Sequence, residues 1–299
     1  MEYTYPDKAL LKIEHLPFPK VASGKVREIF DVGDAFLMVA TDRISAFDVV
    51  FNEGLNGKGI LLTQISLFWF GRLKSIDQHH LVNDHDARCA VLTERYPELS
   101  GRIMLVKKLK PLCIEAIVRG YLAGSAWSDY QKNHSVLGHE LPNNLLESAH
   151  LKDALFTPTT KAQSGHDIPI SHNKAKELIG ATIFDQVKEL SLSIFSEATN
   201  LLERCGLILA DTKFEFGLDE DGQVYLIDEV LTPDSSRYWF KDQYQEGKAQ
   251  DPVDKQFIRD YLNRIHWNKK PPAPSLPKSV LSETLERYER AYQLITRID

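Results

Sequence analysis

The segment between residues 207 and 230 constrains the fold most, because its polar and apolar residues alternate as they do in a β-hairpin. Side chains two residues apart lie on one face of a strand, so Asp211, Lys213 and Glu215 share a face at intervals of roughly 6.7 Å. The turn-forming residues 219–222 then predict that residues 223–230 pair with the first strand. We expect a hairpin with one charged face.

This charged face suggests a binding site, because the second strand also ends in acids. Asp228 follows an apolar run, and carboxylates from adjacent strands can converge. Mg²⁺ typically takes one or two carboxylates and completes its coordination with water and phosphate oxygens. Glu215 and Asp228 are therefore candidate Mg²⁺ ligands. The alternatives are a solvated face whose charges balance, and acids that simply end strand pairing.

The composition favours a globular protein that acts on small-molecule substrates. The chain has 299 residues, 43% of them hydrophobic, which is enough for one or two domains with a substantial core. Its 36 Lys and Arg residues against 42 Asp and Glu residues give a net charge of −6. This acidic balance argues against nucleic acid or a membrane surface as the main partner.

Cysteine usage and the N-terminal residues predict a cytoplasmic protein. Cys89, Cys113 and Cys205 are widely spaced and form no metal pattern, so we expect reduced, buried thiols. The first residues lack a basic leader followed by an apolar block. No apolar stretch approaches the roughly 20 residues that cross a bilayer.

The hydrophobic pattern predicts a β-rich first part and a more helical second part. Strands are expected at residues 26–32 and 35–41, joined at Gly33-Asp34, and as a second pair at residues 102–109 and 112–118. Helices are expected at residues 61–73, 125–133, 174–179, 182–204, 252–264 and 279–297. We therefore predict an α+β/α/β fold with two lobes, residues 1–115 and 116–299, and a nucleotide site in the cleft between them.

Two glycine-containing segments are candidate anion sites. Gly24, Lys25 and Arg27 open the first predicted strand and resemble a lid over nucleotide phosphates, although such a sequence is also common in surface turns. Arg119 precedes Ser125 at a predicted helix start, where backbone N–H groups attract anions. An ordinary serine cap is the alternative for Ser125.

Two polar segments are further candidates for substrate binding. Arg237 follows a hydroxyl-rich turn and can bind phosphate through its guanidinium fork, although Asp234 or Ser235 can instead cap a following helix. Residues 41–48 are polar enough to hold a small zwitterion. The alternative there is that Asp42 and Arg43 pair with each other.

Taken in order, eight segments resemble the phosphoribosylaminoimidazole-succinocarboxamide synthase (SAICAR synthetase) family, and in particular its longer branch, which includes the yeast enzyme. The matching segments are GKVREIFD (24–31), ATDRISAFD (40–48), GKGILLTQIS (57–66), EAIVRGYLAGSAW (115–127), FTPTTKA (156–162), ADTKFEFG (210–217), DEVLTPDSSRYW (228–239) and DKQFIRDYL (254–262).

The resemblance implies an ATP- and Mg²⁺-dependent ligase of purine biosynthesis. It would join carboxyaminoimidazole ribonucleotide (CAIR) to L-aspartate and give SAICAR, ADP and phosphate. Because a carboxylate is a poor electrophile, we expect phosphorylation to activate it as an acyl phosphate. Such a reaction needs positioning and charge neutralisation rather than a protein nucleophile.

The resemblance also assigns roles by position. It places Gly24, Lys25, Arg27 and Glu115 at ATP, and Glu215 and Asp228 at Mg²⁺. It places the ribonucleotide at Arg119, Ser125, Asp211, Lys213 and Arg237, of which Asp211, Lys213 and Arg237 are the candidate catalytic residues. Asp42, Arg43 and Ser45 are the candidates for organising aspartate or the reaction centre.

One segment departs from the family pattern, and two other functions remain possible from sequence. Residues 163–169 lack the acids that the family often has there, although His166 and Asp167 remain. A kinase-like phosphotransferase would also use a phosphate lid and paired acids, but the kinase H-R-D and D-F-G motifs are missing. A nucleotide-binding regulator without catalysis is the other alternative. The sequence leaves the oligomeric state open.

Overall fold

A four-stranded antiparallel sheet forms the first part of the computed structural model, which describes residues 8–161 and 167–298. Its order is β1-β2-β3-β6, and the strands span Lys20–Ser23 (β1), Arg27–Asp31 (β2), Phe36–Ala40 (β3) and Ile103–Val106 (β6). Gly33 has a φ of +100° between β2 and β3, which suits the tight turn. The predicted hairpin is confirmed.

The chain between β3 and β6 forms a hairpin and two helices beside this sheet. The hairpin consists of β4 (Arg43–Ala46) and β5 (Val49–Gly54). Helix α1 (Lys58–Arg72) confirms the predicted helix and is mostly buried. Helix α2 (His85–Arg95) was not predicted, because its surface is largely polar.

A seven-stranded antiparallel sheet centred on β13 (Leu207–Leu218) dominates the rest of the molecule. Strand β13 pairs with β7 (Lys110–Pro111), β8 (Ile114–Tyr121), β14 (Val224–Ile227) and β15 (Ser236–Phe240). Strand β8 also pairs with β11 (His150–Phe156) and β12 (Thr159–Thr160). The long central strand therefore lies next to β8 and β15, which both carry predicted site residues.

Further helices complete the chain, and the longest of them packs against this sheet. They are α3 (Ser125–Asn133), α4 (His172–Ile179), α5 (Ala181–Arg204), α6 (Gln256–Arg264) and α7 (Lys278–Ile295), and a small hairpin follows α3 as β9 (Ser135–Val136) and β10 (His139–Glu140). Among the described residues, no helix has the length and apolar character needed to cross a bilayer.

The largest hydrophobic core joins the two sheets. It contains Met38 from β3 and Trp69 from α1, together with Val118, Leu209 and Phe214 from the central strands. The predicted boundary after residue 115 falls inside β8, and this core lies on both sides of it. The division into two lobes therefore stays a prediction.

Three local predictions were wrong. Strands β6 and β8 do not pair with each other, because β6 joins β3 while β8 joins β13 in the other sheet. The segment after Asp234 continues as strand β15 rather than a helix, because its apolar residues fill the sheet core. Cys113 is exposed, whereas Cys89 and Cys205 are partly buried free thiols.

Candidate active site

The predicted charged row lies on the central strand β13 and is matched by charges from neighbouring elements. The Nζ of Lys213 lies 2.6 Å from Glu115 Oε1 and 2.9 Å from Glu215 Oε1. Lys161 also pairs with Glu215. Because β8 and β13 are adjacent antiparallel strands, Glu115 and Lys213 come together although 98 residues separate them.

Electrostatics favour the charged forms of Lys213 and Glu215. Burial opposes the charge of Lys213, but Glu215 and Glu115 outweigh it and raise the pKa of the lysine. Burial likewise opposes ionisation of Glu215, yet Lys213 and Lys161 lower its pKa to about 2. Burial raises the pKa of Glu115 above its ordinary value, although Lys213 opposes this. The row is a compact set of alternating charges.

Two arginines converge on Asp211 at the other end of the row. Arg237 Nη1 lies 2.8 Å and Arg119 Nη1 lies 3.5 Å from Asp211 Oδ2. Arg119 also donates to Ser125 Oγ at 3.2 Å, at the start of α3. A Cβ on Gly124, whose φ is +56°, would lie 2.8 Å from Arg237 Nη2, so a side chain there would displace the arginine. Two guanidinium groups and a hydroxyl suit a phosphate group.

A second set of ion pairs links the two sheets. Arg27, on β2, donates to both carboxylate oxygens of Asp228 at 2.8 and 2.9 Å. Its Nη2 lies 2.7 Å from Glu229 Oε2. Strand β14 ends at Ile227, one residue before Asp228, whose φ is +64°. This left-handed backbone ends the strand and directs the acid toward β2.

Asp228 is buried next to other acids. Burial, with further contributions from Glu215 and Glu229, raises the pKa of Asp228 to about 6, and Arg27 opposes this rise. Burial opposes the charge of Arg27, but Asp228 and Glu229 outweigh it and raise the pKa of the arginine above its ordinary value. Asp228 and Glu215 are therefore close enough to repel each other, and a bound cation would relieve that repulsion.

Arg43 stabilises the turn at residues 24–27 through hydrogen bonds to its backbone. Arg43 Nη2 donates to Gly24 O at 2.8 Å, and Arg43 Nε donates to Lys25 O at 2.9 Å. The same guanidinium pairs with Glu28 at 2.6 Å. Lys25 itself is half exposed and pairs with Asp48. Arg43 thus shapes the turn, and Lys25 and Arg27 present their charges from it.

Asp42 is enclosed by protein, whereas Ser45 contacts a lysine. The Asp42 side chain is fully buried and accepts from Gly59 N–H at 2.9 Å and Leu10 N–H at 2.8 Å. It also pairs with Arg102 at 3.0 Å. Ser45 Oγ accepts from Lys255 Nζ at 3.2 Å. None of these three contacts of the Asp42 side chain is with another predicted site residue.

Sequence reasoning missed several residues that complete the site. Lys161 and Thr159 come from a polar segment that had no assigned role, and Thr159 Oγ1 donates to Glu115 Oε2 at 3.3 Å. Thr157 Oγ1 accepts from Arg119 Nε at 3.0 Å. The hydroxyl-rich sequence was a signal, but strand pairing with β8 was needed to place it. Residues 163–166 lie outside the described residues.

The donor set suits a metal shared with a ligand rather than a closed metal cage. Within the described part of the chain, no group of three or more His, Cys, Asp or Glu side chains is arranged to hold a metal ion. Glu215 and Asp228 provide two carboxylates that influence each other electrostatically. Mg²⁺ commonly binds one or two carboxylates together with phosphate oxygens.

The described residues thus place two acids, Glu215 and Asp228, at one end of the charged row and two arginines at the other. Comparisons with known proteins give its family. The family model for SAICAR synthetase matches residues 20–274. The chain belongs to the SAICAR synthetase family.

Individual relatives agree with this assignment. A phosphoribosylaminoimidazole-succinocarboxamide synthase of Desulfatibacillum aliphaticivorans is 51% identical over 286 residues, which cover 95% of each chain. The solved SAICAR synthase of Saccharomyces cerevisiae, complexed with SAICAR, is 40% identical, has a TM-score of 0.85 and covers 96% of this chain and 98% of its own. A solved SAICAR synthetase in complex with ADP is 24% identical, with a TM-score of 0.68, and covers 92% and 97%.

These matches confirm the resemblance on which the sequence analysis relied, including the comparison with the yeast enzyme. They also confirm the mixed α/β fold and the identification of an ATP-dependent carbon–nitrogen ligase. The kinase-like and regulatory alternatives are not favoured, because relatives that match over nearly the whole chain carry the synthase name.

Proposed function

We propose that this chain joins the carboxylate of CAIR to the amine of L-aspartate at the cost of one ATP, giving SAICAR, ADP and phosphate. The observation that carries the proposal is the convergence of Arg119 and Arg237 at one end of a row whose other end is Glu215. The reaction needs a phosphate-binding end for the ribonucleotide and an acidic end for the metal and ATP. The yeast relative's complex with SAICAR supports the same substrates.

ATP would bind between two lobes, one built on the four-stranded sheet and the other on the seven-stranded sheet. Gly24, Lys25 and Arg27 would contact its phosphates from the first lobe, and Glu115 would lie near its adenosine. The contact from Arg27 to Asp228 supports this placement, because it brings the glycine-led strand to the acids of the other sheet. The ADP complex of a protein with the same fold supports nucleotide binding.

Mg²⁺ would be held by Glu215 and Asp228, and when bound it would neutralise phosphate charge. Lys161, Lys213 and Arg27 partner these acids and would share them with the metal. The raised pKa of Asp228 supports the assignment, because burial and the nearby acids Glu215 and Glu229 disfavour its negative charge, which a bound cation would stabilise.

The ribonucleotide would lie along the charged row. Arg119, Ser125 and Arg237 would bind its phosphate, while Asp211 and Lys213 would orient its imidazole portion. Asp211 keeps both guanidinium groups in place through contacts at 2.8 and 3.5 Å. Lys213, next to Glu215, would lie where the substrate carboxylate meets the nucleotide.

The chemistry would proceed in two steps. A CAIR carboxylate oxygen attacks the γ-phosphorus of ATP, and the bond from that phosphorus to the β,γ-bridging oxygen breaks, releasing ADP. The aspartate nitrogen then attacks the acyl carbon, phosphate leaves with its oxygen, and the nitrogen loses a proton. Lys25, Arg27 and Lys213 would offset charge as these groups meet, so positioning and electrostatics supply the catalysis.

Aspartate has the least defined site. Ser45 is the remaining candidate for direct contact from residues 41–48, because Lys255 next to it can attract a carboxylate. Arg43 would support the nucleotide turn, and Asp42 would support the backbone of α1. The cytoplasm as the compartment also stays a prediction.

A coupled assay tests the proposal. ADP release should require CAIR and L-aspartate together, and a succinocarboxamide product should form in equal amount. ADP formation with phosphate transferred to a hydroxyl would support a phosphotransferase instead. Nucleotide binding without ADP release would support a regulator.

Replacing Asp228 tests the metal assignment. Asp228→Asn removes one of two proposed carboxylate ligands, so we expect the Mg²⁺ concentration for half-maximal rate to rise about tenfold. The measurement is a Mg²⁺ titration of the coupled assay at saturating substrates. Asp221→Asn, on the exposed turn of the same hairpin, is the control. An unchanged requirement in Asp228→Asn would remove Asp228 from the ligand set.

A further inference from the structure

A buried carboxylate joins three distant parts of the chain beside the proposed site. The Asp234 side chain is 3% exposed, and Lys58 Nζ at the start of α1 lies 2.8 Å from its Oδ2. Tyr288, on α7, donates its hydroxyl to Asp234 Oδ1 at 2.6 Å. Lys255, just before α6, has its Nζ 3.5 Å from Oδ2.

The surroundings keep Asp234 ionised and Tyr288 protonated near neutral pH. Burial opposes ionisation of Asp234, but Lys255 and Lys58 hold its pKa well below the ordinary value. Burial and Asp234 together raise the pKa of Tyr288 well above its ordinary value, so its hydroxyl remains a donor. A hydrogen bond to a buried charged group is stronger than one between neutral groups.

Asp234 lies in a turn that is hydrogen-bonded to Glu229 and to the backbone of Lys213. Its N–H donates to Thr232 Oγ1 at 3.2 Å, and Thr232 Oγ1 in turn donates to Glu229 Oε2 at 2.7 Å. On the other side, the carbonyl oxygen of Ser235 accepts from Lys213 N–H at 2.9 Å. A shift of this turn would therefore move the backbone of Lys213 and the start of β15, where Arg237 lies.

Helix α7 is fixed against this region by more than the tyrosine. The guanidinium of Arg287 lies 4.5 Å from the ring centroid of Phe257, and that of Arg290 lies 3.8 Å from the ring centroid of Phe240 in β15. Residues 278–295 lie beyond residues 20–274, the part that the family model matches. The family match therefore gives this helix no role.

We propose that Tyr288 is a positioning residue for the ligase reaction, through which α7 holds the turn at residues 232–235 and thereby Lys213 and Arg237. The inference rests on the proposed function, because the readout is use of the ribonucleotide. Tyr288 acts through Asp234 and contacts no substrate itself.

The test compares Tyr288→Phe with Tyr292→Phe, an identical chemical change one turn further along α7. Within the described residues, Tyr292 Oη has no hydrogen-bond partner, so removing it should leave the kinetics within twofold of the parent. Tyr288→Phe keeps the buried ring and removes the hydroxyl. We expect it to raise the KM for CAIR about tenfold, with the KM for ATP changed less than twofold.

A double variant checks the route of the effect. In an Asp234→Asn background the hydroxyl has lost its charged partner, so adding Tyr288→Phe should change the KM for CAIR less than twofold. A tenfold change there would overturn the proposal. If Asp234→Asn fails to fold, the comparison of Tyr288→Phe with Tyr292→Phe still decides.

Two outcomes of the single variants would also overturn the inference. The first is a KM for CAIR unchanged in Tyr288→Phe. The second is an equal rise in the KM for ATP, which would indicate a general disturbance of the site rather than a shift of Lys213 and Arg237. Neither result affects the proposed function, which fails only if the parent chain makes no succinocarboxamide.

Discussion

In the proposed site, Asp211 would contribute largely through the two arginines that contact it. Two guanidinium groups share one of its oxygens, which holds both arginines in a fixed orientation without a bound phosphate. Such preorganisation lowers the conformational cost of binding an anion. The strand alternation predicted that Asp211 faces the site, but not that it would face two arginines.

Replacing Arg237 by lysine should separate charge from geometry. Arg237→Lys keeps a cation near Asp211 but loses the planar fork, so we expect the KM for CAIR to rise about tenfold with a smaller change in kcat. Steady-state kinetics of the coupled assay measure it. Arg88→Lys is the control, because Arg88 makes a forked contact with the exposed Asp34. Unaltered ribonucleotide kinetics in Arg237→Lys would place the phosphate elsewhere.

Asp254 should make stability depend on pH. Its buried carboxyl accepts from Tyr238 N–H at 3.0 Å and Gln256 N–H at 2.7 Å. Burial raises the pKa of Asp254 from 3.8 to about 6, although Arg237 opposes this rise. Between pH 3.8 and about pH 6, Asp254 keeps its proton in the folded state and has lost it in the unfolded state. This contribution to stability is therefore present at low pH and is lost as pH rises toward 6.

The prediction is a pH-dependent difference between the parent and Asp254→Asn. We expect Asp254→Asn to have a lower free energy of unfolding than the parent at pH 4. This difference between the two proteins should shrink by about 2–3 kcal/mol from pH 4 to pH 7. Urea unfolding at several pH values measures it. Asp242→Asn, at an exposed position, is the control for replacing an aspartate by asparagine. A constant deficit for Asp254→Asn would show that Asp254 does not bind this proton.

At the scale of elements, α1 depends on close contact with β3. Gly59 lies in the first turn of α1, and its N–H donates to Asp42 Oδ1 at 2.9 Å. A Cβ at this position would meet the carbonyl oxygen of Ala40 at 2.3 Å. Sequence periodicity predicted the helix correctly, but this approach of backbone to backbone arises only when the helix docks on the sheet.

Two glycine substitutions in the same helix should therefore have opposite effects. Gly59→Ala must displace α1 from β3, which should lower the free energy of unfolding by about 1–3 kcal/mol. Gly71→Ala meets nothing within 4 Å and should leave stability unchanged or raise it by up to about 1 kcal/mol. Urea unfolding of both variants checks this. Equal effects of the two substitutions would contradict the packing argument.

Some strand partners could not be predicted because pairing is a long-range choice. Residues 102–109 and 112–118 are close in sequence and both apolar, so a local pair was the simplest prediction. The structure instead commits β6 to one sheet and β8 to the other, with the short β7 between them. Periodicity identifies a strand because one of its faces is buried. It does not show which other strand pairs with each of its edges.

At the scale of the whole molecule, the two sheets share one core and one set of ion pairs. Trp69 and Met38 pack with Val118 and Phe214 in the largest cluster, and Arg27 bonds across to Asp228. Separating the sheets would expose that apolar surface and leave buried charges unpaired, both of which are costly. The proposed site thus lies at the contact between the two sheets.

We therefore expect the chain to unfold in one cooperative transition. Tryptophan fluorescence and far-ultraviolet circular dichroism should give coincident urea midpoints, because neither sheet can lose its partner without exposing the shared core. The exposed-surface variant Asp242→Asn should keep the midpoints coincident. Two separated transitions would mean that residues 1–115 and 116–299 form independent folding units after all.

The sequence by itself determined the family, most helices, the β2–β3 and β13–β14 hairpins, and the shared face of Asp211, Lys213 and Glu215. These features follow from short-range periodicity, turn chemistry and ordered motifs, which a single chain displays directly. Only the tertiary structure decided that Asp42 is enclosed, that Lys161 and Thr157 join the site, and that α7 reaches Asp234. Those contacts depend on which surfaces pack together, and packing is set by the burial of the whole core rather than by any local pattern.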